Sequence, residues 1–547
     1  MWHNTRRQET LPWARQSIFK NLKRFYMKNK NHLLIVVFLI FIAGILGCNK
    51  KPLDQSPTGQ YTSGNFWRNQ NDVLAGINGI YNVLTTEDWV GHNLYIFDDQ
   101  SDDISVDGDH PDFRAIERFN IDPTLQVLYT LWPFAYEQIG RANNAIIYIP
   151  KVPVIDESIR SRSMGEAYFL RAHAYFELSK IYGEVPLILE NNVLTGSYNI
   201  PKSSVDSIRG QVESDLLKAI NLLPETYGDA DKGRVSKGAA WGLLCKLYIF
   251  EDNFAKASQY GSLVINDPNY ALAPNYTNNF TLGLQETNTE ILFGVWNKNQ
   301  QVPNVPSSAI GQYFTPRAWQ GWGFHHPTQN FADEFEPNDS IRKGATLISV
   351  GDSIPNQTNL VTIGPGDAFQ MFTGKQGQST GRLLPSMSTT GYYIKKYTAF
   401  LPDGSGGIDF DLKQPILRTA DVYLLVAEAK IRLNGPGSGD AEINAVRARA
   451  GLAPITGAGM LQLVHERRVE LGGENSRHQD LMRWDKDKII NLDTIYNKPK
   501  LASPLPPYNS SVAVPARVFT RPKDYYMPIP QEIIDESKGI IKQNPNY

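Results

Sequence analysis

Glu166-Ala167-Tyr168-Phe169-Leu170-Arg171-Ala172-His173-Ala174-Tyr175-Phe176 runs on through Leu178 and Ile181 to Tyr182-Gly183-Glu184-Val185-Pro186-Leu187. Ala167, Leu170, Ala174, Leu178 and Ile181 recur at steps of three and four, the apolar stripe of an amphipathic helix, and Tyr175 and Tyr182 widen it. Gly183 suits the position just past the last turn, where left-handed backbone is common. Arg171 interrupts the stripe, and a charge on an apolar face tolerates burial only when paired. An opposite charge across the helical core is expected, against the alternative of a side chain snorkelling from the stripe's edge. Glu428 interrupts the apolar pattern of 420–433 and raises the same question.

Outward from this stretch, further helices fit Asn71–Leu84, Leu128–Tyr148, Ser207–Leu223, Ala420–Leu433, Glu442–Ala450 and Leu461–Leu471. Ala239–Phe250 and Phe254–Ile265, joined by Glu251-Asp252-Asn253 and followed by Asp267-Pro268, resemble one tetratricopeptide unit, with small Cys245 and Ala257 where paired helices must approach closely. One helix pair cannot bury its own apolar face, so units of this kind stack. Residues 270–415 differ: Gly, Pro, Asn, Thr and Ser dominate, with short apolar runs such as Ile291-Leu292-Phe293-Gly294-Val295. Short strand pairs and long loops are expected there, and a loop-rich insertion of this size points to recognition.

The chain has 547 residues, 41% hydrophobic and 20% charged, a globular balance that excludes a disordered, collagen-like or multi-span membrane protein. Two cysteines, Cys48 and Cys245, cannot form a disulfide framework. Leu33–Leu46 carries no charge, is too short to span a bilayer comfortably, and follows Lys28 and Lys30, as in a signal peptide. Ile45-Leu46-Gly47-Cys48 resembles a bacterial lipobox, which implies cleavage before Cys48 and its lipidation, and stable anchoring by several acyl chains. Residues 1–47 then read as the leader, with Met27 an alternative start, 48–62 as a polar tether and 63–547 as the folded domain. The leader holds eight Lys/Arg and one acidic residue, so totals of 54 and 56 fall to 46 and 55 beyond it, a net charge of −9. That acidity, like the chain-wide value of −2, argues against a nucleic-acid or other polyanionic partner.

Motifs for catalysis or metal binding are incomplete. His465-Glu466 begins like a zinc-protease helix, but Val469 stands at the second ligand position. Gly377-Gln378-Ser379-Thr380-Gly381 has the letters of a nucleophile elbow without the flanking strand and helix. Asp103-Ile104-Ser105-Val106-Asp107-Gly108 resembles the start of a calcium loop, yet its twelfth position is Arg114, and a solvated acidic loop is the reading preferred. His325-His326 lacks further spaced ligands, and Cys245 sits on an apolar face. No enzyme activity, metal or cofactor is expected.

Aromatic residues, 11% of the chain, are more suggestive. Trp296, Trp319, Trp322, Phe324 and His326 crowd into the loop-rich segment, where little helical core can hold them. Flat rings stack on the C–H faces of sugars, while neighbouring Asn, Asp and Arg bond hydroxyls. Trp89, Trp296, Trp319, Trp322 and His326 are the candidate ligand-binding residues.

Ordered blocks across nearly the whole chain resemble the SusD/RagB family of outer-membrane nutrient-binding lipoproteins. After the lipobox come Asn65-Phe66-Trp67-Arg68-Asn69 with Ile77-Asn78-Gly79-Ile80-Tyr81, then Trp132–Tyr136 with Arg141-Ala142-Asn143, then the 166–187 stretch. Ala427-Glu428-Ala429, Asn444–Gly451, Glu466-Arg467-Arg468-Val469-Glu470-Leu471, Arg477, Asp480-Leu481, Arg483-Trp484, Met527-Pro528-Ile529-Pro530 and Gln543-Asn544-Pro545 follow. The resemblance implies a mainly α fold: a scaffold of four tetratricopeptide-like helical pairs carrying a loop-rich, irregular ligand-binding half with short strands. It implies capture of oligosaccharide, or of peptide in the RagB branch, at the exterior face of the bacterial outer membrane. The implied partner is a TonB-dependent, SusC-like barrel that takes the ligand inward. It also makes the charged residues of 466–484 scaffold ion pairs, with Glu474/Arg477 and Arg477/Asp480 spaced to pair on one helix face. One departure is Gly472-Gly473, where the family usually has bulkier apolar residues, which implies a looser helix. Family binding residues lie outside these blocks and cannot be carried over.

Overall fold

The computed structural model describes residues 66–547 except 108–109, 297–309, 316–321, 351, 356–379, 383–387, 401–405 and 408–411. The leader, Cys48, the tether, Ser379 and Trp319 lie outside the described residues. Among those described, no helix is long and apolar enough to cross a membrane.

Ten helices of ten residues or more form the frame: α1 (Gln70–Leu84), α2 (Gln126–Tyr148), α3 (Glu157–Ile181), α4 (Val205–Leu222), α5 (Lys237–Phe250), α6 (Phe254–Asn266), α7 (Thr419–Asn434), α8 (Asp440–Arg449), α9 (Met460–Leu471) and α10 (Arg477–Lys486). The first eight pack in succession as four helical pairs, α1/α2, α3/α4, α5/α6 and α7/α8, each pair lying against the next. This is the stacked arrangement that the tetratricopeptide-like pattern of 239–265 implies.

Residues 166–181 of that stretch are the second half of α3, and 182–187 follow its end; α3 begins at Glu157, where the Asp156 carboxylate accepts the Ser158 N–H. α2 and α4 cover α3 on opposite sides, so Phe169, Leu170, Tyr175, Phe176 and Leu178 are all fully buried. Each apolar side chain so buried contributes roughly 1.5–3 kcal/mol of transfer free energy. Arg171 is buried as well, and its guanidinium donates to both Asp215 oxygens (2.7 and 2.8 Å) and to Asn143 (2.6 Å). Glu428 meets Arg483 and accepts the Trp484 indole N–H at 2.9 Å. Both interruptions of the apolar stripes are thus paired core charges.

Pairs α5/α6 and α7/α8 approach closely at Gly261, where an added Cβ would fall 2.3 Å from Val426 and 2.9 Å from Cys245. Burial pushes the Cys245 thiol well above its ordinary range, so it is an inert core group. Between α6 and α7 the described strands form short two-stranded ribbons, one of which recruits a strand from before α2. β2 (Ile291–Val295) pairs antiparallel with β4 (Gln414–Arg418), and β3 (His325–Pro327) pairs with β1 (Ile104–Val106), which precedes α2.

Three details differ from the sequence reading. Asp103 does not open a solvated loop: it is buried at the start of β1 and accepts from Arg468 at 2.7 Å, while Asp102 accepts from Arg477 at 3.0 Å. Arg477 therefore pairs with neither Glu474 nor Asp480. Glu474 precedes α10 and reaches Arg418 and Lys396 instead, and Asp480 is held by Arg467 and Arg483. Gly472-Gly473 is not a loosening but a tight stop to α9. An added Cβ on Gly472 would fall 2.0 Å from the Phe331 ring, and Gly473 has φ +78°, a conformation that favours glycine.

Candidate functional site

The C-terminal end of α1, the turn at 230–234 and the end of β2 enclose a cleft of about 380 Å³ open to solvent. α1 supplies Asn78, Tyr81 and Asn82, Thr85 follows it, and β2 delivers Trp296 as the first residue beyond the strand. Gly233, at φ +87°, lies against the indole: an added Cβ would meet its Cγ at 2.4 Å. Only glycine leaves Trp296 this seat, and the Lys413 ammonium stands 5.9 Å from the ring centre.

Arg234, which also lines the cleft, is fixed on all three of its nitrogens. Nε donates to Asp231 (2.8 Å), Nη1 to Glu166 of α3 (2.8 Å) and Nη2 to Asn78 Oδ1 (2.7 Å). Arg162 reaches the other oxygen of Asp231 at 2.9 Å. Burial pushes the Asp231 carboxyl upward, but hydrogen bonds from Arg162 and Arg234 outweigh it and hold the group below its usual range. The Tyr81 hydroxyl accepts the Val235 N–H at 3.0 Å, which ties the 230–235 turn to α1. A planar aromatic side chain lining one cleft with fixed amide, hydroxyl and guanidinium groups can stack on a sugar ring and bond its hydroxyls.

The sequence candidates separate in space. Trp296 lines this cleft. Trp322 is 40% exposed on a second aromatic surface, edge-on to Tyr313 with ring centres 4.9 Å apart and tilted against Phe324 at 5.8 Å. Tyr313 stacks on the His92 ring beneath it, with centroids 3.3 Å apart. Trp89 and His326 are corrections. Trp89 is fully buried because the turn Glu87–Gly91 folds it under α2, where its indole N–H donates to Gln138 at 2.7 Å. His326 is fully buried in β3, hydrogen-bonded through Nδ1 to Thr389 at 2.8 Å and packed on Tyr393. Neither presents a face to a ligand. Asn78, Asn82 and Arg234 were missed, because only the fold brings the end of α1 beside the turn before α5.

Among the described residues one group could gather three ligand atoms for a cation: Glu336, His465 and Glu466. Its carboxylates already serve guanidinium groups, Glu336 with Arg447 at 2.6 Å and Glu466 with Arg447 at 3.0 Å and Arg342. His465 Nδ1 bonds Glu334 at 2.8 Å. The cluster is an ion-pair network in the scaffold, consistent with the broken zinc-protease spacing.

Comparison with known proteins places the architecture. The profile described as "SusD family" matches residues 249–547, and that described as "Starch-binding associating with outer membrane" matches 52–249. The chain is 24% identical to SusD-like protein P2 of Formosa agariphila, over 94% of this chain and 99% of that one. A laminarin-binding SusD-like protein superposes with a TM-score of 0.68 at 25% identity, covering 88% of this chain and all of the other. Surface glycan-binding protein A of Bacteroides thetaiotaomicron, solved with laminarihexaose, gives a TM-score of 0.68 at 22% identity over 87% of this chain and 99% of that one.

Proposed function

The chain belongs to the SusD family, and from that premise we propose that it captures oligosaccharides in the Trp296 cleft. The observation that carries the reading is the seat of Trp296: Gly233 packs against the indole in a 380 Å³ cleft also lined by Asn78, Asn82 and the fixed Arg234. Support comes from relatives named for starch, laminarin and surface glycan binding. The exposed Trp322 surface is a second place for the same ligand to rest. Capture needs no bond to be made or broken, in keeping with a site built from aromatic, amide and fixed charged groups. In this reading Cys48 carries the acyl anchor in the outer membrane, and the captured glycan passes to a TonB-dependent, SusC-like barrel.

Calorimetric titration of the protein against oligosaccharides and short peptides, alongside Trp296→Ala, tests the reading. Sugar binding weakened about tenfold or more by the substitution is the expected result. Peptide binding without a sugar response would replace glycan capture with peptide capture. Sugar binding untouched by Trp296→Ala would place the ligand elsewhere.

A further inference from the structure

We infer that the Trp296 cleft takes an uncharged oligosaccharide and turns away glycans bearing uronate or sulfate groups; this rests on the cleft being the glycan site. Drawing an anion out of water calls for a cation whose charge is not already balanced by a carboxylate. Among the described residues Arg234 is the one guanidinium lining the cleft; three of its five N–H groups go to Asp231, Glu166 and Asn78, and its charge is met by two carboxylates. It presents a fixed, charge-compensated plane rather than a free fork. Arg162, behind it, shares Asp231. Lys232 lies 2.7 Å from Asp229, and Lys413, beside the indole, lies 3.4 Å from Glu286. Among the described residues, these four cations are matched by four carboxylates, Glu166, Asp229, Asp231 and Glu286.

Beside these compensated charges, the described lining offers neutral groups. The Asn82 side chain offers donors and an acceptor of the kind sugar hydroxyls use, the Thr85 hydroxyl, which donates to the Asn82 carbonyl at 2.8 Å, offers an acceptor, and the indole offers a flat apolar face. A second observation points the same way. The chain beyond residue 47 holds 46 basic and 55 acidic residues by count, so its long-range field repels a polyanion on approach.

The exposed Lys232–Asp229 pair is the weakest of these couplings, and it is the position to vary. Titrate the protein and Lys232→Gln with neutral, uronate-bearing and sulfated oligosaccharides of equal length, at low and high salt, with Trp296→Ala as control. Expected for the unsubstituted protein are neutral-glycan affinities that change by less than about twofold with salt, and charged glycans at least about tenfold weaker. A charged glycan that binds more tightly than the neutral one, and is lost at high salt or in Lys232→Gln, would overturn the inference. Binding of neither class by folded protein, or binding indifferent to Trp296→Ala, would overturn the reading of the cleft beneath it.

Discussion

Trp89 and Trp296 show how far a side chain's identity is from its role. Both leave regular elements, Trp89 beyond α1 and Trp296 beyond β2, yet one is core and the other lines a cleft. The difference lies in partners distant along the chain: Gln138 for Trp89, Gly233 for Trp296. No local pattern could have told them apart. Trp89→Ala is expected to cost about 3–5 kcal/mol of stability, measured by denaturant unfolding, because it empties a packed site and strands the Gln138 carboxamide. Gly233→Ala should leave the helical frame intact by circular dichroism and weaken glycan binding about tenfold, since the new methyl takes the space of the indole.

The helices were legible at the scale of the element because their period is local. α1, α4, α6, α7 and α9 begin and end within about two residues of the expected bounds, the usual ambiguity of helix ends. α3 was legible only in its apolar half; its first turns carry Arg160 and Arg162, which serve caps and carboxylates rather than a stripe. β1 has no signature of its own in the sequence, since three residues carry no period and their partner strand lies more than 200 residues away. The charged core was legible as a need for partners but not as a set of pairs. Arg171 calls for a carboxylate, and only the packing of α3 on α4 names Asp215. Arg171→Met is expected to destabilise by about 3–5 kcal/mol by leaving Asp215 buried and unpaired. Adding Asp215→Leu should recover most of that loss, and chemical denaturation of the two variants measures both. Gly472→Val drives a side chain into Phe331, with an expected cost of about 1–3 kcal/mol in the same assay.

At the scale of the whole molecule, buried guanidinium–carboxylate pairs join the helical scaffold to the irregular half. Arg418 of β4 bonds Glu290, Glu470 and Glu474, and Arg449 of α8 reaches Glu290 and Glu470. Burial alone would raise the Glu470 carboxyl, but Arg449 and Arg418 overcome it and bring it to about 2. Its native value therefore lies below its ordinary one, so its contribution to stability is complete above about pH 4.5 and is lost as pH falls toward 2. Asp102 and Asp421 are shifted in the same direction by Arg468 and Lys246 against the effect of burial. Thermal unfolding followed from pH 6 to pH 2.5 should show the melting temperature falling steeply over the lower half of that range; a flat profile would deny these pairs their role.

The most direct measurement is a crystal structure of the protein with a neutral oligosaccharide to which it binds. The account expects a sugar ring lying on the Trp296 indole, with its hydroxyls within hydrogen-bonding distance of Asn78, Asn82 or Thr85. A ligand seated only on the Trp322 surface, with the Trp296 cleft holding none, would contradict it.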